Sequence, residues 1–437
     1  MGIPEVFKAR ADLDRFFDSE DDGLLYVGHA SILVRLSGKT ILFDPVGYSK
    51  PYEGNWLFFP PQVMDPRLLG VDAVVVSHCH QDHFDIPFLR CFPETTPIFI
   101  AEGRSMFRAQ FEAAGLAVHE VPLECRHEIL PGIIAYAIAH ETNGIDSSMA
   151  VSNGNFTAYH GNDNYADLSA LRALRAAIGH IHVGCVPFAY IHWYPFLLDS
   201  MEETQKAKEA RRLIEAYLKV GMEQAGALEA EIAIPFGANL VYFDHADSVM
   251  NQAVMSPIDM VDFASATSGP EGHNFRALFA GAMILKAPGG DCRLEFEAMD
   301  RDVLKARLRI FLGEAVDVSR DASPLYRLPD RVSDFTWLEQ RLQSHGDSRQ
   351  DHLVRLQPMS GPDLKIEIDL QSYSARQVDA WQTERPFHHF RIESATLARW
   401  LANDLTLEGV IGTRRFRLER FPERYNPEVL ALINGAL

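Results

Sequence analysis

The stretch that most limits what this chain can become is Val71–Asp85, VDAVVVSHCHQDHFD. Its first half is a short continuous apolar run, the pattern of a strand buried on both faces. The run ends in His78-Cys79-His80-Gln81-Asp82-His83, so a buried strand delivers three imidazoles and a carboxylate to one loop. In α/β folds the C-terminal end of a strand is where ligands sit.

A tight loop of this kind can aim His78 and His80 at one cation while Asp82 and His83 point to a second beside it. Neutral imidazole together with carboxylate suits zinc, iron or manganese. Two ions ~3.5–4 Å apart can clamp and activate a small oxygen ligand. The competing reading is a histidine-rich surface loop, and four ligand-type residues at this spacing after a strand weigh against it.

The rest of the chain supplies enough material for a large core: 47% of its 437 residues are hydrophobic. Basic residues number 41 and acidic residues 60, giving a net charge of −19. That balance argues against nucleic-acid binding, which needs clustered Lys and Arg to neutralise phosphates. Five scattered cysteines fit a reduced, cytoplasmic protein better than a disulfide framework. No signal-peptide pattern opens the chain, and no run approaches the ~18 apolar residues of a membrane span.

Along the chain, LLYVGHASILVRL and ILFDP read as two apolar strands joined by a turn containing Gly38, the second ending at Asp44-Pro45. TPIFIAE and GIIAYAIAH are further strands, and SSMAVSNGNFTAYHGND is a hairpin turning at Asn153-Gly154. A helical insertion is expected over about 195–230, with Ser200 and Glu203 as its capping box. Beyond Pro288-Gly289-Gly290 the texture changes. Residues 1–300 are therefore read as the metal-binding catalytic domain and 301–437 as a smaller α+β accessory domain.

The motif and its flanks resemble the metallo-β-lactamase superfamily. VGHASILVRLSGKTILFDP is similar to that family's opening hairpin, in which His29 and Asp44 would support the metal loop. The resemblance implies an α/β fold, an αββα sandwich with the metal site at one edge between the sheets. It also implies a third histidine for the first metal, which His140 at the end of AYAIAH would supply, and a bridging carboxylate, which Asp163 would supply. Asn162 competes for that position, and His160 is either a supporting group or an ordinary strand-end residue. The late histidine that many relatives carry is missing from IPFGANL, so His245 in VYFDHADS would complete the second metal. Within the superfamily the chain is most similar to the metallo-β-lactamase-like part of CMP-sialic acid hydroxylase, from about Leu24 onward. The 23 residues before Leu24 are too few for that enzyme's Rieske iron–sulfur domain.

Three functions follow. The first is a dinuclear hydrolase, acting with a metal-bound hydroxide on an ester, amide or phosphoester of a small molecule, with Asp82 and Asp163 as catalytic carboxylates. Two divalent ions, zinc first and iron or manganese otherwise, are its cofactors. The second is an iron-dependent oxygenase, which would need a ferredoxin or reductase as a separate partner. The third is a metal-stabilised binding protein without catalysis. A homo-oligomer is compatible with each. The aromatics around Trp56 and His192 are expected to wall the substrate cavity. His180 and His182 are read as strand-end packing, His388 and His389 as surface residues, and Arg414, Arg415, Arg417 and Arg420 as a solvated strand face.

Overall fold

A computed structural model describes residues 6–140, 145–245, 249–269, 272–315, 327–344, 349–381, 385–424 and 426–436. The chain opens with a meander, β1 (Asp22–Gly28), β2 (Ser31–Leu36) and β3 (Lys39–Phe43). A short β4 (Trp56–Phe58) leaves that sheet. Then β5 (Ala73–Val75), β6 (Ile98–Ala101) and β7 (His119–Val121) extend it in parallel from β3. The second sheet runs in chain order from β8 (His127–Leu130) through β9 (Ile133–Ala139), β10 (Ser147–Ser152), β11 (Thr157–His160) and β12 (Val183–Pro187) to β13 (Ile232–Phe236). Next β14 (Leu240–Tyr242) returns to pair with β4, and β15 (Met283–Lys286) with β16 (Cys292–Glu295) completes the first sheet beside β1.

Period-two alternation explains the layering. Leu24 and Tyr26 of β1, Ile32 and Val34 of β2, and Phe43 of β3 face Ala135, Met149, Val151, Val183 and Ile234 of the second sheet. The alternate residues Leu25, Val27, Leu33 and Leu42 turn outward against Phe88, Phe107 and Phe111 of the helices Ile86–Leu89 and Ser105–Ala113. On the far side, Tyr136, Ala150, Tyr159 and Val186 are covered by the helices Leu168–Ile178, Glu203–Leu228 and Pro257–Ser268. Both sheets are thus buried on both faces, giving the expected αββα sandwich. It also explains the one strand misread: with no polar face to interrupt the run, LLYVGHASILVRL looks continuous, yet it breaks into β1 and β2 at His29, whose φ of +45° makes the turn.

A third sheet carries the additional C-terminal domain: β17 (Leu353–Pro358), β18 (Ile366–Asp369), β19 (Ser374–Gln377), β20 (Phe387–Ile392) and β21 (Phe416–Phe421), ordered β19-β18-β17-β20-β21. Its core is continuous with Tyr52, Trp56, Tyr190 and Trp193 of the sandwich. The hairpin at Asn153-Gly154 forms as expected. The long helix instead starts at Glu203 with Glu202 and Gln205 as its capping box, because Ser200 Oγ donates to Glu423 Oε2 at 2.6 Å. Among the described residues no helix is long and apolar enough to cross a membrane.

Candidate metal centre

The motif loop leaves the end of β5 and is organised by one buried carboxylate, Asp44, at the adjacent end of β3. Asp44 Oδ1 accepts from the Ser77 N–H at 2.7 Å, and Oδ2 accepts from the Ser77 hydroxyl at 2.7 Å and lies 2.8 Å from His83 Nδ1. The Ser77 proton is therefore spent on Asp44, so Ser77 Oγ, 3.0 Å from His78 Nδ1, acts there as acceptor. Assigned from these bonds, both His78 and His83 carry their proton on Nδ1 and present Nε2 as a lone pair.

Those lone pairs converge. His78 Nε2 lies 2.8 Å from His80 Nδ1, 3.7 Å from Asp146 Oδ1 and 4.0 Å from Asp163 Oδ2. Among the described residues His83 Nε2 is buried with no hydrogen-bond partner, yet it stands 3.4 Å from Asp163 Oδ2 and 3.5 Å from Asp82 Oδ2. A buried polar atom left unpaired costs about 1–3 kcal/mol. Donors held roughly 2 Å from a shared cation stand at about these mutual distances. Three overlapping groups result, His78/His80/Asp146, His78/His83/Asp163 and His29/Asp82/His83, with Asp163 near both His78 and His83, and their donor chemistry fits a divalent ion.

Burial and neighbouring charge act differently on three of these buried groups. Burial pushes His78 well below the ordinary histidine value, helped by the neighbouring His83 and His80. Burial opposes ionisation of Asp82 as well, but His83 and His29 hold it well below the usual carboxylate range. Burial also disfavours a charged His83, and Asp163 and Asp82 outweigh it and raise the value.

Around these atoms, His29 Nε2 bonds Asp82 Oδ2 at 3.1 Å, and the Tyr52 hydroxyl donates to Asp82 Oδ1 at 3.3 Å. His160 Nε2 lies 2.8 Å from the Ala30 carbonyl oxygen and 3.7 Å from Asp44. Asn162, at φ +44°, turns its amide to the Ser147 carbonyl, which leaves the cluster to Asp163. His140 closes the end of β9 through its backbone N–H to Asp146 O and is not among the converging groups, where Asp146 stands instead. The side chain of His245 lies outside the described residues.

Asp163 also opens onto a cavity of about 110 Å³ lined by Tyr165, Tyr190, His192, Tyr217 and Gly237. Gly237, at φ +80°, occupies a backbone region that other residues rarely adopt, and a Cβ there would sit 3.3 Å from Asp163 Oδ1. The hydroxyls of Tyr165 and Tyr190 donate to the carbonyls of Ala189 and Tyr194. His192 Nδ1 accepts from the Tyr194 N–H, so its proton is on Nε2, and burial with Arg414 and Arg420 nearby lowers its value to about 3. Trp56 is elsewhere: its indole N–H donates to Gly412 O, inside the contact with the C-terminal domain.

Two other expectations need correction. His388 and His389 are buried, because β20 lies inside the third sheet with both neighbours paired. Arg414 and Arg420 are buried too. Arg414 lies 5.2 Å from the centre of the Trp56 ring, and the exposed part of the tail is confined to alternate residues of β21. His180, His182 and Glu231 do cluster, but His182 Nδ1 accepts from the Thr157 N–H, which leaves Nε2 protonated and unsuited to a metal.

Sequence reasoning missed Asp146, Ser77, Tyr52 and Glu408. Asp146 stands just before β10, where a strand-leading carboxylate could have been noticed. Glu408 is 328 positions beyond His80 and carries no local signal.

Comparison with known proteins agrees with the fold. Residues 23–216 match the model of the beta-lactamase superfamily domain, so this part of the chain is similar to the metallo-β-lactamase superfamily. A protein of Mycobacterium tuberculosis named as a Rieske 2Fe-2S iron-sulfur protein is 28% identical over 198 residues, covering 43% of this chain and 38% of its own length. The chain thus spans about two-fifths of the curated relatives it matches first. The cytidine monophosphate-N-acetylneuraminic acid hydroxylase of Cricetulus griseus is 30% identical over 76 residues, 17% of this chain and 14% of that enzyme. Among solved structures, CmlA, a diiron beta-hydroxylase from Streptomyces venezuelae, aligns with a TM-score of 0.42 at 16% identity, over 64% of this chain and 55% of that one. Other matched folds include metal-dependent hydrolases.

Proposed function

We propose that the chain is a dinuclear metal-dependent hydrolase acting on a small molecule seated against the cavity beside Asp163. The observation that carries this reading is the convergence of three imidazole lone pairs and three carboxylates, with each of His78 and His83 held in its tautomer by Asp44. His78, His80 and Asp146 would hold one ion and His83 and Asp82 the other, with Asp163, near both His78 and His83, between them. Bound divalent ions lower the pKa of water and stabilise negative charge developing on a substrate oxygen. The side chains do the rest. Asp163, at the boundary between centre and cavity, orients the attacking water. Asp82, kept ionised by His83 and His29, accepts its proton. The neutral His192 Nε2–H, if turned to the cavity, donates a hydrogen bond to the substrate. With the Tyr165 and Tyr190 hydroxyls tied to the main chain, those two residues offer ring faces, which suits a flat or apolar substrate group.

A second reading is oxygenation at an iron centre, and two observations favour it. Asp146 in place of a histidine makes the donor set half carboxylate, which suits iron or manganese. Relatives named for Rieske clusters and for a hydroxylase match this chain, so electrons would come from a ferredoxin-type or reductase partner.

Elemental analysis of protein purified without added metal separates the two. About two zinc ions per chain and no colour is the outcome expected for hydrolysis. Iron, with absorption that changes on reduction and returns with oxygen, would replace it with oxygenation. In either case His80→Ala should lose metal and turnover together, and retention of both would overturn the site.

A further inference from the structure

We infer that Glu408, in the C-terminal domain, is a positioning residue of the metal centre that sets the ring of His80 and ties metal binding to the docking of that domain. This rests on the metal-centre reading above.

The three imidazoles of the motif need the same preparation: a proton on the outer nitrogen, an acceptor to hold it, and the inner lone pair aimed at the ion. For His83 the acceptor is Asp44, and for His78 it is Ser77, itself held by Asp44. His80 presents Nδ1 inward, 2.8 Å from His78 Nε2, so its outer nitrogen is Nε2. That nitrogen lies 3.0 Å from Glu408 Oε1.

The helix Leu407–Thr413 that carries Glu408 is placed firmly. Thr406 Oγ1 caps it at the Gly409 N–H, and Leu407 is fully buried. The indole of Trp56 donates to Gly412 O at 2.8 Å, and the Asn55 amide donates to Thr413 O at 2.6 Å. Glu53 pairs with Arg399 at 2.6 Å and with Arg415 at 2.8 Å. The same helix also meets the other half of the centre. A Cβ at Gly412 would lie 2.1 Å from the ring of Tyr52, whose hydroxyl donates to Asp82. One helix turn therefore backs both groups of ligands, Glu408 through His80 and Gly412 through Tyr52.

The test is metal affinity of the full chain by chelator competition with zinc, together with the visible spectrum of the cobalt-loaded protein, for wild type, Glu408→Ala, Glu408→Gln and His80→Ala. The Glu408 side chain is 30% exposed, so its removal opens no core cavity. Glu408→Ala should bind zinc roughly 10- to 100-fold more weakly and shift the cobalt bands. Glu408→Gln keeps an acceptor oxygen and should recover most of the affinity. Wild-type affinity and spectrum in Glu408→Ala, with metal lost in His80→Ala, would overturn the inference and leave the metal centre standing. Full metal content in His80→Ala would overturn the centre itself. An equal fall in melting temperature with and without metal, at unchanged affinity, would make Glu408 structural only.

Discussion

Two regions of this molecule bury neighbouring histidines and prepare them in opposite ways. In the metal loop, carboxylates stand behind the rings: Asp44 behind His83 and, through Ser77, behind His78, and Glu408 behind His80. In the C-terminal sheet, His352 Nε2 lies 2.7 Å from His388 Nδ1, and nearby arginines act on the rings against Asp351 and Asp199. There burial, reinforced by Arg385 for His352 and by Arg355 and Arg391 for His389, lowers those two to about 4. Burial, His352 and Arg420 lower His388 to about 3. An imidazole with an acceptor behind it offers its other nitrogen to a cation. One among guanidinium groups stays neutral and serves the core. Clustering of histidines therefore says less than the sign of the charge at their backs.

The largest effect that would break this comparison is expected at Asp44. Asp44→Ala leaves the Ser77 hydroxyl and His83 Nδ1–H without their buried acceptor. Metal affinity should fall at least 10- to 100-fold, and the metal-free protein should lose about 1–3 kcal/mol. Chelator competition and denaturant melts read the two quantities, and unchanged affinity would remove Asp44 from its role.

A smaller effect belongs to the C-terminal sheet and depends on pH. Its three histidines have folded values of about 3 to 4, below the roughly 6.5 of an unfolded chain. The unfolded state then binds more protons between about pH 4 and 6.5, so stability falls as pH drops through that window. The loss should be on the order of a few kcal/mol by pH 4. Urea melts of His388→Leu should show a shallower slope over this range, and an unchanged slope would contradict the assignment.

The smallest effect should come from the third histidine cluster. His180→Ala should leave metal content and turnover within error, because His182 is committed to the Thr157 N–H. A lost equivalent of zinc would show that the tautomer argument fails there.

Much of the fold was legible in particular residues. VDAVVV, flanked by loop signals, is a strand buried on both faces, and its neighbours carry the same continuous apolar texture, which only a layered α/β sandwich can bury. That texture also hid the turn at His29, since a strand with no polar face gives no mark of where the chain reverses. Four of the converging donors, His78, His80, Asp82 and His83, lie within six residues and could be read directly. Asp163 came through the family resemblance, with Asn162 as its rival, and the choice between them turned on one backbone angle.

The sequence by itself determined that a buried strand would present imidazoles and carboxylates in one loop, because local spacing alone places them there. Only the tertiary structure decided that Asp146 faces His78, that Arg414 lies against Trp56 rather than in solvent, and that a glutamate 328 positions away stands behind His80. The physical reason is that periodicity records which faces are covered. It does not record what covers them, and a ligand's second partner is set by how distant segments dock.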